Sequence, residues 1–357
     1  MTTGSLGSAV ETLQGEMGSE WAAITSARDH SREIRGRIQE LLNNLASEDA
    51  SIVIFGSLAR EEFTAGSDLD WTLLVDGHAD SRHLQVVQDV SKRLEAGGFK
   101  RPGREGLFGK MAFSHNLLHQ IGGEDDTNRN ITQRILLLLE SIPVGRREAY
   151  ERVVRNVLQR YLVEDLGLWR GSRPHKVPRF LLNDIVRYWR TVAVDFVYKQ
   201  RERGGEGWAL RNAKLRMSRK LIFVAGLLTC FGCHFFVPPE PRASIVEGDP
   251  NPAPLVDHLL RFVQATPLQI LAHELLGQPA LAPIGRSLFD AYDAFLELLA
   301  DSESRTLLES LPLYSLGTDP LFQRVREIGH VFEKALRQLF FDPQSRLCEL
   351  TIRYGVF

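Results

Sequence analysis

The sequence predicts an α+β protein, with a small mixed sheet near the N-terminus followed by a mainly helical domain. Three observations predict it. Short β-branched apolar runs bounded by turn residues fall between residues 51 and 113, and long helical periodicity takes over from Thr132. Six prolines between residues 238 and 254 then interrupt the helical part, because proline cannot continue a helix.

The elements follow in order. Over residues 8–45, Val10, Leu13, Met17, Trp21, Ile24, Ile34, Ile38 and Leu42 recur at helical spacing among charges, which predicts one or two amphipathic helices. Ser-Ile-Val-Ile-Phe at 51–55, stopped by Gly56-Ser57, reads as a buried strand, and 69–75, ended by Asp76-Gly77, as a second. Residues 81–94 read as a helix and 107–113 as a third extended segment. Helical periodicity covers 134–141, 148–161, 180–199 and 210–228, with the change from mixed αβ to all-α near residues 143–145. Beyond the prolines, 255–276, 288–300 and 322–339 again read helical.

At 357 residues, 43% hydrophobic and 25% charged, the chain is about twice a typical domain, which excludes disordered, collagenous and disulfide-scaffold classes. The formal charge of -2 conceals a partition. Residues 151–220 carry 17 Lys+Arg against 7 Asp+Glu, a net of +10, and the remainder carries 26 against 38, a net of -12. Three cysteines and an N-terminus without a basic, apolar leader point to a cytoplasmic, reducing setting. The apolar run 221–237 spans 17 residues, short of the roughly 20 a bilayer requires, so it reads as a core helix and no membrane partner is expected.

The chemistry concentrates in Phe55-Gly56-Ser57-Leu58-Ala59-Arg60-Glu61-Glu62-Phe63-Thr64-Ala65-Gly66-Ser67-Asp68-Leu69-Asp70. Residues two apart on a strand share a face, so Asp68 and Asp70 project side by side while Leu69 and Trp71 point away. Two hard carboxylates so placed can hold Mg²⁺ or Mn²⁺. Gly56 lets backbone approach a triphosphate, Ser57 can donate to its oxygens, and Arg60, one helical turn on, can add charge. Either half of this pattern alone is common as a loop; the conjunction of strand, Gly-Ser, a ten-residue spacer and Asp-x-Asp opening a second strand is rare.

That string resembles the signature of the polymerase-beta-type nucleotidyltransferase superfamily. With Arg60, Glu62 and Ser67 included it is similar to a narrower branch, that of the PII-protein uridylyltransferase and glutamine-synthetase adenylyltransferase N-terminal domains and related bacterial proteins. Gly109-Lys110-Met111-Ala112-Phe113-Ser114-His115-Asn116 and Thr132-Gln133-Arg134-Ile135-Leu136-Leu137-Leu138-Leu139-Glu140 extend the likeness. The resemblance implies Asp68 and Asp70 as catalytic metal ligands and Gly56, Ser57, Arg60 and Ser67 on the nucleotide, with ATP or UTP as donor. Many members supply a third carboxylate from a later strand. Residues 107–113 contain none, which leaves Glu105, Asp125 and Asp126 as candidates.

The basic block admits two readings. It is a solvated surface, or a face carrying Arg187, Lys214 and Arg219 that meets the triphosphate across a cleft from the two aspartates. Cys230-Phe231-Gly232-Cys233-His234 matches a haem-attachment pattern but lies in an apolar run and reads as core; His115 and His119, at i and i+4, lack a third ligand and read as a helix start.

The expected organisation is an N-terminal helical segment (1–50) packing on a nucleotidyltransferase catalytic domain (51–145), then a basic helical domain (146–237) closing the nucleotide cleft. A Pro-rich linker (238–254) and a C-terminal helical region (255–357) complete it. The expected reaction is metal-dependent transfer of a nucleoside monophosphate from an NTP to an acceptor oxygen with release of pyrophosphate. A protein side chain is the first acceptor to consider. Alternatives are a nucleotide acceptor, giving a second-messenger synthase, an RNA 3′ end, which would suit the +10 block, or a catalytically inactive nucleotide-binding regulator.

Overall fold

The computed structural model describes residues 6–102, 107–169, 176–202, 204–236 and 251–355. Helices α1 (Ala9–Met17) and α2 (Ala22–Leu41) precede strands β1 (Ala50–Phe55) and β2 (Asp70–Val75), helix α3 (Arg82–Ala96) and strand β3 (Lys110–Phe113). Then come α4 (Ser114–Leu118), α5 (Asn128–Leu139), β4 (Ser141–Val144), α6 (Glu148–Glu164), α7 (Arg179–Glu202), α8 (Trp208–Lys214) and α9 (Lys220–Phe235). Beyond them lie α10 (Ala253–Val263), α11 (Pro267–Leu276), α12 (Ala282–Ala300), α13 (Ser302–Ser310) and α14 (Pro320–Phe341), followed by a short helical stretch, Cys348–Leu350, that runs into a π turn at Thr351–Gly355. The fold is α+β, as the sequence predicts.

The sheet order is β3-β2-β1-β4. Strand β1 runs antiparallel to β2 (Phe55 opposite Asp70) and to β4 (Phe55 opposite Ser141), while β2 and β3 are parallel. Alternation along β1 sends Ile52 and Ile54 to one face, where they pack with Ile34, Ile38, Val90 and Leu94 of α2 and α3. Val53 and Phe55 turn to the other face and join the large helical core. Both faces are therefore covered, and each buried Ile or Val contributes about 1.5–3 kcal/mol.

Strand β4 was not expected, since the helical run was read through Ser141. It is short, lies at the sheet edge and contains Pro143 opposite Val53. Edge strands tolerate the missing N–H of a proline, so Pro143 is compatible with this one. Three further differences have local causes. The 210–228 helix is interrupted by a π turn at Leu215–Arg219. The 255–276 segment divides at Thr266, whose side chain and that of Gln269 form a capping box ahead of Pro267. Asp301 caps the unanticipated α13 by accepting from Ser304 N at 2.8 Å.

Helix α9 is apolar all round and buried, which accounts for the 221–236 part of the apolar run. Among the described residues no helix is long and apolar enough to cross a membrane. Most of the Pro-rich segment, 237–250, lies outside the described residues. The helices beyond it pack back on the N-terminus: α11 against α1 and α9, and α12 against α2 and α14. Trp21 stacks on Phe289 (ring centroids 4.5 Å apart) and donates Nε1–H to Asp290 at 2.8 Å. Helix α2 thus lies between the sheet, through Ile34 and Ile38, and α12.

Candidate active site

At the C-terminal end of β1 the chain turns through Gly56 with φ of +72°. A Cβ there would stand 3.1 Å from Asp70 Oδ2, so glycine is needed both for the left-handed backbone and for the closeness of the carboxylate. The following turn is fastened by Arg60 N–H to Gly56 O (3.1 Å) and Glu62 N–H to Ser57 O (2.8 Å), with Leu58 buried beneath it. Ser57 is half-buried at its head.

Leu69 is buried, Asp68 is exposed and Asp70, the first residue of β2, is half-buried, so the two carboxylates share the open face above this turn. Neither is hydrogen-bonded or ion-paired to a described residue. Burial pushes the Asp70 carboxyl up to about 7, with Arg219 opposing and Glu140 and Asp68 adding to the rise.

Two cations face this pair from the helical part. Lys214 ends α8 and Arg219 ends the π turn. In an α-helix, residues five apart are separated by about 140° at ~100° per residue. The i→i+5 bonding of a π turn brings them toward one face, so Lys214 acts on both aspartates and Arg219 on Asp70. The Lys214 ammonium is pushed down to about 8 by burial and by Arg305 and Arg219, with Asp68 offsetting part of that. Burial works most strongly against the Arg219 charge, but Glu140, Tyr188 and Asp70 together outweigh it and the guanidinium is held above its ordinary range.

Glu140, at the foot of β4, is the acid that sequence reasoning missed. Its Oε1 accepts from Arg219 Nη1 at 2.9 Å and its Oε2 from Arg60 Nη1. Arg60 Nε also donates to Glu62 Oε2 at 2.9 Å. The signal was present in the Thr132–Glu140 string, but an acid closing a helical run looks like an ordinary solvated end. Only the pairing of β4 with β1 carries it beside Gly56. Arg305 of α13 was missed as well: it donates to Thr64 Oγ1 (2.9 Å) and Gly66 O (2.6 Å), bracing the loop that leads to Asp68.

Four expectations need correction. Arg60 is buried between Glu62 and Glu140, so its charge is neutralised inside the protein rather than offered to a phosphate. Ser67 is buried with Oγ on Thr64 N (3.2 Å) and Thr64 Oγ1 (3.1 Å), which makes it a loop staple. Arg187 pairs with Asp184 on its own helix at 3.4 Å, a carboxylate that also accepts from Arg134 and Tyr161. Asp126 grips Arg134 with both oxygens (3.1 and 2.8 Å) and is not free to complete a metal site. Asp125 is exposed, with its carbonyl accepting from Asn130, and Glu105 lies outside the described residues.

Among the described residues no group of three or more His, Cys, Asp or Glu is arranged to hold a metal. Asp68 and Asp70 still fit a divalent cation, because Mg²⁺ is commonly held by one or two carboxylates together with substrate phosphates, and these two have open oxygens. The comparisons agree with that chemistry. Residues 31–104, about a fifth of the chain, match the family model for the nucleotidyltransferase domain, a stretch that includes Gly56, Ser57, Asp68 and Asp70. That stretch is thus similar to a nucleotidyltransferase domain. No curated protein matches it.

Proposed function

We propose that the protein is a metal-dependent nucleotidyltransferase that moves a nucleoside monophosphate from an NTP to an acceptor oxygen. The observation that carries this reading is a pair of carboxylates, Asp68 and Asp70, that pair with no described residue, open over the Gly56-Ser57 turn and are opposed by Lys214 and Arg219. The acceptor oxygen forms a bond to the α-phosphorus, the bond from that phosphorus to the bridging oxygen breaks, pyrophosphate leaves with the electron pair, and the acceptor hydroxyl's proton passes to water. Asp68 and Asp70 would hold Mg²⁺ or Mn²⁺, which when bound supplies charge neutralisation at the reacting phosphate oxygens. Gly56 admits the phosphates against the backbone, and Ser57 donates to them. Lys214 and Arg219 bind the phosphates that depart, each charge-assisted contact stabilising the complex by about 1.5–3 kcal/mol.

The helical segment 146–237 closes the nucleotide cleft in this reading, since both cations come from it. A protein side chain is the acceptor we favour, following the resemblance to the uridylyl- and adenylyltransferase branch, with ATP and UTP as the first donors to try. Purified protein is incubated with each labelled NTP and Mg²⁺ or Mn²⁺, alone and with protein lysate or RNA. Label on protein supports the favoured acceptor, and label on RNA or in a small product assigns one of the others. No label anywhere, with NTP still bound, identifies a nucleotide-binding regulator, and transfer that persists in Asp68→Ala rejects the site.

A further inference from the structure

The buried network behind Arg219 closes on itself through a residue from the far end of the chain. Tyr292 of α12 is fully buried. Its hydroxyl donates to Glu62 Oε1 at 2.6 Å and lies 3.4 Å from Ser218 Oγ, inside the π turn and next to Arg219. From Glu62 the contacts run to Arg60, from Arg60 to Glu140, and from Glu140 to Arg219, whose chain neighbour Ser218 returns to Tyr292. The ring joins the Gly56 turn, the foot of β4, the π turn and α12. The carboxylates of Glu62 and Glu140 have side chains 2% and 1% exposed and Arg60 7%, whereas Arg219 is 35% exposed and is the cation of the ring that acts on Asp70.

A guanidinium on a long flexible stem loses rotamer entropy when it binds an anion, unless it is already held. Glu140 fixes one edge of the Arg219 fork, and Ser218 fixes the backbone from which it springs. We propose that Tyr292 is a positioning residue for nucleotide binding: by tying Glu62 to the π turn it presets Arg219 toward the phosphates above Asp70. The inference rests on the nucleotidyltransferase reading of the site and extends it to the C-terminal helices, which are then part of the active site's scaffold.

The hydroxyl alone is removed in Tyr292→Phe. Affinity for Mg²⁺-ATP and Mg²⁺-UTP is measured by calorimetry on the full chain in four forms: wild type, Tyr292→Phe, Arg219→Ala and the double variant. Loss of about 5-fold or more in the wild-type background and less than about 2-fold in the Arg219→Ala background is expected, because the hydroxyl acts through that side chain. An equal loss in both backgrounds, or none in either, overturns the proposal. The Arg219 Nε–Hε resonance, assigned by its absence in Arg219→Ala, reads the ring without nucleotide. It is slow-exchanging in the wild type and exchanges at least about tenfold faster in Tyr292→Phe; equal exchange overturns the ring. A wild type that binds neither nucleotide sinks the nucleotidyltransferase reading, while the resonance still decides whether Tyr292 orders Arg219. Should Tyr292→Phe fail to fold, Ser218→Ala opens the same ring beside Arg219 and is held to the same outcomes.

Discussion

Two buried clusters in this protein are made of the same parts and end differently. In one, Arg134 is fully buried and donates to Asp126 twice, to Asp184 at 2.7 Å and to Tyr161 at 2.6 Å, and Tyr161 in turn donates to Asp184 at 2.6 Å. It joins α5, α6 and α7, and its central guanidinium is satisfied from within. In the other, Arg60 and Arg219 share Glu140, and Arg219 has an open side toward an aspartate that pairs with no described residue. The comparison teaches that a buried arginine with acids around it is by itself a packing device. A site appears where such a network ends on charge that the protein has not neutralised.

The largest effect expected from that difference is at the open end. Asp68→Ala or Asp70→Asn should lower nucleotidyl transfer by about 10³-fold or more with the far-ultraviolet circular dichroism unchanged, which a labelled-NTP assay reads. Next comes the closed cluster. Arg134→Met leaves Asp126 buried without its cation and Asp184 with Arg187 alone, and should destabilise the fold by about 3–5 kcal/mol in urea, with the NTP Michaelis constant of the remaining folded protein unchanged. A change in that constant would show that the clusters are not separable. A smaller split follows from the arginines assigned to each: Arg219→Ala should raise the NTP Michaelis constant by about 10- to 100-fold, whereas Arg187→Ala, on the closed side, should move it less than about 2-fold.

The smallest effect lies outside both. His258 is stacked on Phe236 and lies tilted against Phe262, with ring centroids 4.4 and 5.1 Å away. Burial, with Arg261 and His273 nearby, pushes it down to about 4 from an ordinary value of 6.5. Between those values the unfolded chain binds the proton and the folded protein does not, so stability rises as pH goes from about 4 to 6.5. The thermal midpoint of His258→Phe should be flatter over that window; an unchanged slope would place the acid sensitivity elsewhere.

How much of this was legible follows the range of each interaction. Strands β1 and β2 announce themselves through contiguous β-branched runs and a Gly-Ser stop, and Asp68 and Asp70 through a two-residue period. Arg60 could not be placed that way. An arginine one turn beyond Gly-Ser looks the same whether it faces a phosphate or a buried carboxylate, and its deciding partner, Glu140, is 80 residues away. Lys214 and Arg219 were chosen for their charge, yet what aligns them is a π turn, and a five-residue spacing has no hydrophobic signature. Tyr292 looked like any aromatic on an apolar helix face because Glu62 lies 230 positions earlier.

The braces that reach back from α12 and α13 also set a time order. Trp21 waits for Asp290, 269 residues later, and Thr64 for Arg305, 241 residues later. Contacts of such long sequence separation form late, after the intervening chain has been made and collapsed. During synthesis the aspartates emerge early, but the frame that orders their loop is completed only once α12 and α13 have left the ribosome, so the nascent chain carries its carboxylates in an unassembled pocket until Arg305 has emerged.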